Sequence, residues 1–359
     1  MQSTYFKSNG RKGFTLVELM VAIGVTALLV SLMLTITINV MGGWNKSSGS
    51  LTSGNQARMV LDVIARDLQG AVIKKDGNVW FAATIQKNQS NTGESGIVDA
   101  NWSPSTNPKP DGTTLGRNPA LTDTSFVIPA PAVAGAIPTL EDYRFGKGGV
   151  WLRFLTSITD ANDDANTVSA PRAVSYQIVR LPVVAGSPVE FRYLLFRSEV
   201  NSSNTFSNGF NLFDAAYDTP TAAPAAVTEP GILRRPEVTT PNRGLVIANN
   251  VIDFGVRVYT RNSSGVLSAT PNFPDADTPN IVGFAATTDR DKESGVVAKN
   301  LILHDFPAVV EVFMRVLTDE GVMQIDNLEN GWITGDWWDI ALKNSKVFTR
   351  RIEINSNGL

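Results

Sequence analysis

Residues 14–41 form an apolar run that contains a single charged side chain, Glu18. As a helix rising about 1.5 Å per residue, the run reaches roughly 42 Å, more than the roughly 30 Å hydrocarbon core of a bilayer. It is long enough to span. Lys7, Arg11 and Lys12 precede it and no basic residue lies inside it. That asymmetry places the N-terminus in the cytoplasm and sends the rest of the chain out. A secretory signal would have a shorter apolar stretch with a small-residue cleavage site behind it, and none is evident after Met41. Glu18 is the costly feature, because a carboxylate within a membrane segment costs about 2.5–3.5 kcal/mol on insertion scales. It needs a partner.

The residues around it, G-F-T-L-V-E, resemble the type IV prepilin class, with Gly13 ending the leader, Phe14 beginning the mature chain and Glu18 fifth in it. The resemblance implies that a membrane prepilin peptidase cuts between Gly13 and Phe14 and methylates the new amine. It also implies that Glu18 pairs with the N-terminal amine of a neighbouring subunit. Cutting at Gly13 puts a positive amine about one helical turn from Glu18, and a paired charge is far cheaper in lipid than a lone one. A near-interface glutamate snorkelling toward headgroups is the plainer reading of the same residue. Many major pilins carry a helix-kinking proline where this chain has Thr35; Gly24 is available to loosen the helix instead.

Four segments follow from the pattern: a leader at 1–13, a membrane or filament-core helix at 14–43, an amphipathic docking helix at 44–75, and an extracytoplasmic β-rich head at 76–359. Gly42, Gly43 and the polar stretch after them predict a loosening of the helix at the membrane exit. Beyond it Leu61, Ile64, Leu68 and Val72 share one face, while Arg58, Asp62 and Arg66 are spaced for pairing on the other. The apolar stripe is expected to cover a sheet. Alternating runs then read as strands: SFVIP (125–129), VWLRFLT (150–156), AVSYQIVRL (173–181), VEFRYLLFRSEV (189–200), VIDFGVRVYT (251–260), PAVVEVFMRVLT (307–318) and VFTRRIEI (347–354). Two stretches rich in Pro, Asn, Ser and Gly, 99–119 and 201–241, read as surface insertions. The fold class is α+β, a long N-terminal hydrophobic helix continuing into an amphipathic helix packed on antiparallel β-sheet.

This order resembles the minor pseudopilins of type II secretion, especially the J-type subunit. The matching elements are the R-D-L step at Arg66, Asp67 and Leu68, the V-S-Y strand ending at Tyr176, and the LLFR strand ending at Arg197. Later come the strand from Val251 to Tyr259 and the F-P-A-V-V-E-V strand from Phe306. The A-N-N-V-I step before Asp253 and the D-E-G turn after Thr318 also resemble the prepilin-like cassette C family of Verrucomicrobia. Either resemblance implies a filament subunit whose partners are prepilin peptidase, other pseudopilins or pilins, and inner-membrane lipid before assembly.

With 43% apolar and 18% charged residues in 359, the chain carries enough apolar side chains for a core and is not globally disordered. Loss of the leader's three cations would take the formal net charge from −3 to about −6, which argues against a general nucleic-acid binder. The absence of cysteine excludes disulfides and thiolate metal sites. Catalytic constellations are equally thin. The single histidine, His304, beside Asp305, has no nucleophile-elbow serine to complete a triad. F-G-K-G-G-V at 145–150 lacks the spacing and K-[ST] ending of a phosphate loop and reads as a glycine turn before a strand. Asp160, Asn162 and Asp164 alternate as in a calcium loop, but Ala165 replaces the turn glycine and Pro171 the bidentate glutamate. Trp332, Trp337 and Trp338 suit either a binding face for protein or glycan, or core and sheet-edge packing. The expectation is a structural subunit of a pseudopilus, without cofactor, metal or catalytic site; the alternatives are a minor subunit of a type IV pilus and a membrane-anchored extracytoplasmic binding protein.

Overall fold

A computed structural model describes residues 15–73, 79–85, 136–146, 149–157, 171–182, 191–200, 202, 205, 212, 245–274, 283–286, 301–304 and 306–354. The chain separates into two compact units, Met1–Gly49 and Ser50–Leu359. The described part of the first is helix. The helix α1 is assigned without a break over Leu16–Gln69, so the expected loosening at Gly42 and Gly43 does not interrupt it. A glycine costs a helix about 1 kcal/mol relative to alanine but removes no hydrogen bond, and elongation from existing turns is far easier than nucleation.

In the second unit, the helix ends at Gln69 rather than near residue 75. Gly70 and Ala71 close the last turn through Arg66 O and Leu68 O, and Val72 then donates to Leu155 O at 2.9 Å. The chain thus leaves the helix directly onto a sheet. The predicted stripe, Leu61, Ile64, Leu68 and Val72, is buried, together with Ala57, Val60 and Ala65. On the polar side Asp62 is met by Arg350 from a distant strand.

A seven-stranded sheet contains β1 (Phe81–Ile85), β2 (Val150–Thr156), β3 (Arg172–Pro182), β4 (Phe191–Val200), β5 (Val246–Asn249), β7 (Gly283–Ala286) and β8 (Leu301–His304). Their order is β5-β4-β3-β2-β1-β7-β8. All pairs are antiparallel except β7 with β8. A second sheet, β10-β9-β6, consists of β6 (Val251–Thr260), β9 (Pro307–Leu317) and β10 (Ser345–Glu353). The chain crosses from the first sheet to the second at Asn250, whose φ of 61° is a conformation asparagine tolerates better than most residues.

VWLRFLT and VIDFGVRVYT appear as β2 and β6 over the residues read from sequence, and four other runs appear with shifted ends. SFVIP and the 99–119 insertion lie outside the described residues, as does 201–241 apart from residues 202, 205 and 212. Four short strands, β1, β5, β7 and β8, were not expected. Nor were two helices, α2 (Asp319–Glu329) and α3 (Trp337–Lys343). Each has a local cause: Thr318 accepts the Gly321 N–H to cap α2, and Asp336 accepts the Asp339 N–H to cap α3. The pair is tied to β4, because Arg192 meets Asp326 at 2.7 Å, and Tyr193 and the Trp337 indole both donate to Glu329.

Candidate functional site: the N-terminal helix and its anchor in the head

At the start of α1, Glu18 and Thr15 bond reciprocally. The Glu18 carboxylate accepts from the Thr15 N–H and hydroxyl, both at 2.9 Å, while the Glu18 N–H donates to the Thr15 hydroxyl at 3.3 Å. This is a capping box, a T-x-x-E pattern that satisfies two of the donors a helix start leaves open. Thr15 was missed in the sequence reading, although that spacing announces it. Both bonds fall on one carboxylate oxygen, Oε2, so the cap is compatible with a cation reaching the other. Gly13 and Phe14 lie outside the described residues.

From Leu16 to Met41 the helix has a mean hydropathy of 2.5, and none of that stretch is buried within the chain. Leu, Ile, Val and Met side chains there are more than half exposed. Lipid or other apolar helices must cover such a surface. Thr26, Thr35 and Thr37 satisfy their hydroxyls on the carbonyls of Ala22, Ser31 and Met33, one turn back, so none needs an outside partner in an apolar setting.

Within the second unit, the last turns of α1 are held on the sheet by a charge. Asp67, almost fully buried, accepts from Arg197 Nε at 2.7 Å and Nη2 at 3.3 Å, and from the Tyr176 hydroxyl. Arg197 also reaches Glu199 at 2.6 Å, and Glu199 meets Arg172 at 3.1 Å. The same turn is fixed through its backbone, where the Thr156 hydroxyl donates to Asp67 O at 2.9 Å. Burial pushes the Tyr176 phenol well above its ordinary range, and the neighbouring Asp67 charge adds to the shift. Burial alone would lower the Arg197 pKa, but the Asp67 hydrogen bond and the nearby charges hold it above its ordinary value. The R-D-L, V-S-Y and LLFR elements, far apart in sequence, therefore meet in one polar cluster between α1, β3 and β4.

The glycine segment at 145–149 also has a packing role. Phe145 covers Gly255, where an added Cβ would fall 2.0 Å from the ring, and Gly149, at φ 60°, abuts the Phe254 backbone. The Phe145 N–H donates to both carboxylate oxygens of the fully buried Asp253. Asp253 is raised well above the carboxylate range by burial, against the opposing charge of Arg315. Among the described residues no group of three or more His, Asp or Glu could hold a metal ion. The acidic turn at Asp160, Asn162 and Asp164, with Ala165, lies outside them, as does Asp305; His304 ends β8. The tryptophans divide: Trp337 and Trp338 are buried and Trp332 is 76% exposed, so they do not form one face.

Residues 8–34 match the family described as the prokaryotic N-terminal methylation motif. That segment contains Gly13, Phe14, Thr15 and Glu18. No curated protein and no solved structure matches the chain. Motif and helix together make this the N-terminus of a type IV pilin-like prepilin, which implies processing by prepilin peptidase, a membrane anchor and pilin-type partners.

Proposed function

We propose that this prepilin is a minor pseudopilin, a structural subunit near the tip of a type II secretion-like pseudopilus. The carrying observation is the Asp67–Tyr176–Arg197 cluster: the three sequence elements of the J-type resemblance converge on one fixed join between helix and head. A subunit that passes force between a buried helix and a large head needs such a join. The long insertions in the head are easier to accommodate at a filament end than along its shaft. In this reading the peptidase cuts between Gly13 and Phe14 and methylates Phe14, the chain spans the inner membrane once with its head periplasmic, and Glu18 draws a neighbour's amine during assembly. It is not an enzyme. A minor subunit of a surface type IV pilus is the second reading; the lack of cysteine, and so of a disulfide-closed C-terminal loop, favours the secretion machine.

The assembly role is tested with Glu18→Ala in cells that form the filament. The variant is expected to be cleaved like the wild type and to be depleted from sheared filaments, because the lost charge acts after processing. Equal incorporation would remove the pairing role from Glu18.

A further inference from the structure

Residues 330–336, which join α2 to α3, are all exposed, and Trp332 and Ile333 stand near their centre. The tip is fixed rather than loose. Gly331, at φ 76°, closes α2 by donating to Leu328 O at 3.0 Å, and the Trp332 N–H donates to Asn327 O at 2.8 Å. On its other side Asp336 caps α3, and the Trp337 indole is bound to Glu329. No charged side chain occurs from Asn330 to Gly335. A tryptophan 76% exposed on a fixed, uncharged tip suits a surface that is apolar below and wet above.

The tip belongs to the end of the second unit at which α1 enters. α2 and α3 fill the connection from Leu317, the last residue of β9, to Ser345, the first of β10, and those two residues face each other in the sheet. The hairpin is tied to Arg192 and Tyr193 at the start of β4. α1 meets the same end first: Gly54 lies beside the Phe348 ring, three residues beyond Ser345, and Asp62 then meets Arg350 further along β10. The apolar stretch of α1 ends at Met41 and the second unit begins at Ser50. The nine residue steps between them span at most about 32 Å. A bilayer around the apolar stretch is thus tethered close to this end of the sheet.

We propose that, while α1 holds the subunit in the membrane, the Trp332–Ile333 tip rests in the headgroup layer of the same bilayer. Tryptophan favours that layer, where its ring meets acyl chains and its indole N–H meets water and headgroups. Asp336 and Asp339, exposed at the start of α3, make a zwitterionic surface the better match, because an anionic one repels them. The contact steadies the head on the membrane and is given up when the subunit enters a filament. It rests on the reading of α1 as a membrane anchor and goes beyond it.

The chain has no cysteine, so a single introduced one can be labelled. The full chain with Thr334→Cys is given a nitroxide label and reconstituted in phosphatidylcholine nanodiscs. Ser264→Cys is the reference, in the turn after β6 whose Thr260 faces Pro307 at the opposite end of the sheet. Accessibility to oxygen relative to a water-soluble nickel chelate reports immersion. That ratio is expected to be several-fold higher for Thr334→Cys than for Ser264→Cys, and to decline when anionic phosphatidylglycerol is mixed in. It should fall to the reference value when Trp332→Ala is added, a change that removes no buried side chain; circular dichroism checks that this variant is folded. A Thr334→Cys label as open to water as the reference, in discs that retain the chain, overturns the proposal alone. So does a ratio that Trp332→Ala leaves unchanged, or a label immobilised only when another pseudopilin is added, which would make the tip a protein contact. A chain that does not stay with the discs overturns the membrane anchor as well.

Discussion

Replacing Asp67 by asparagine preserves its shape and removes the charge on which Arg197 and Tyr176 converge. Breaking a buried ion pair from one side costs about 3–5 kcal/mol, because the remaining charge stays desolvated. Here Arg197 retains Glu199 at 2.6 Å and its side chain is 17% exposed, so the loss should fall lower, at about 2–4 kcal/mol. Tyr176→Phe removes one hydrogen bond to a charged acceptor and should cost about 1.5–3 kcal/mol. The two losses should not add, since both act on the same carboxylate. Converting both sides, Asp67→Asn with Arg197→Met, should cost less than the two single losses summed, because each single change already breaks the same ion pair. The assay is urea unfolding of a fragment beginning at Ser50, followed by tryptophan fluorescence, with the single variants and both double variants. A loss below about 0.5 kcal/mol for Asp67→Asn, or strict additivity in both cycles, would refute the claim that this cluster fixes the end of α1 on the sheet of the second unit.

Gly255→Ala should destabilise the head by about 1–3 kcal/mol through the clash with Phe145, and Phe145→Leu in the same chain should recover part of it; denaturant midpoints of the wild type and the two variants decide this. Asp253 sets a pH dependence with a defined sign. Its folded pKa lies well above 3.8, so its contribution is fully present below 3.8 and is lost as pH rises through the folded value. Asp253→Asn should remove that decline, so the variant gains on the wild type in melting temperature from acid toward neutral pH; a difference that stays constant, or runs the other way, contradicts the raised carboxyl.

The local patterns in the sequence were enough for the helical character of α1 and for β2 and β6, but not for the continuity of α1 through Gly42 and Gly43 or its end at Gln69. β1, β5, β7 and β8 escaped because four or five residues such as Gly283–Ala286 are too few to display a period, and only pairing across the sheet makes them strands. The helices α2 and α3 escaped for a different reason. Their cap residues Thr318 and Asp336 are visible in the sequence, but the tryptophans drew the reading toward surface or core. At the N-terminus the position of Glu18 was legible and its bond to Thr15 was overlooked. The partners of Asp67 could be quoted as motifs, yet their meeting depends on β3 and β4 lying side by side beneath the helix, which no spacing along the chain encodes.

Processing as a prepilin comes down to one bond, that between Gly13 and Phe14. Expression of the full chain with and without a prepilin peptidase, followed by mass spectrometry of the intact N-terminus, tests it directly. The expected product begins at Phe14 and carries an added methyl group, and it forms only when the peptidase is present. A chain that keeps residues 1–13 under those conditions, or that is cut elsewhere, would contradict it.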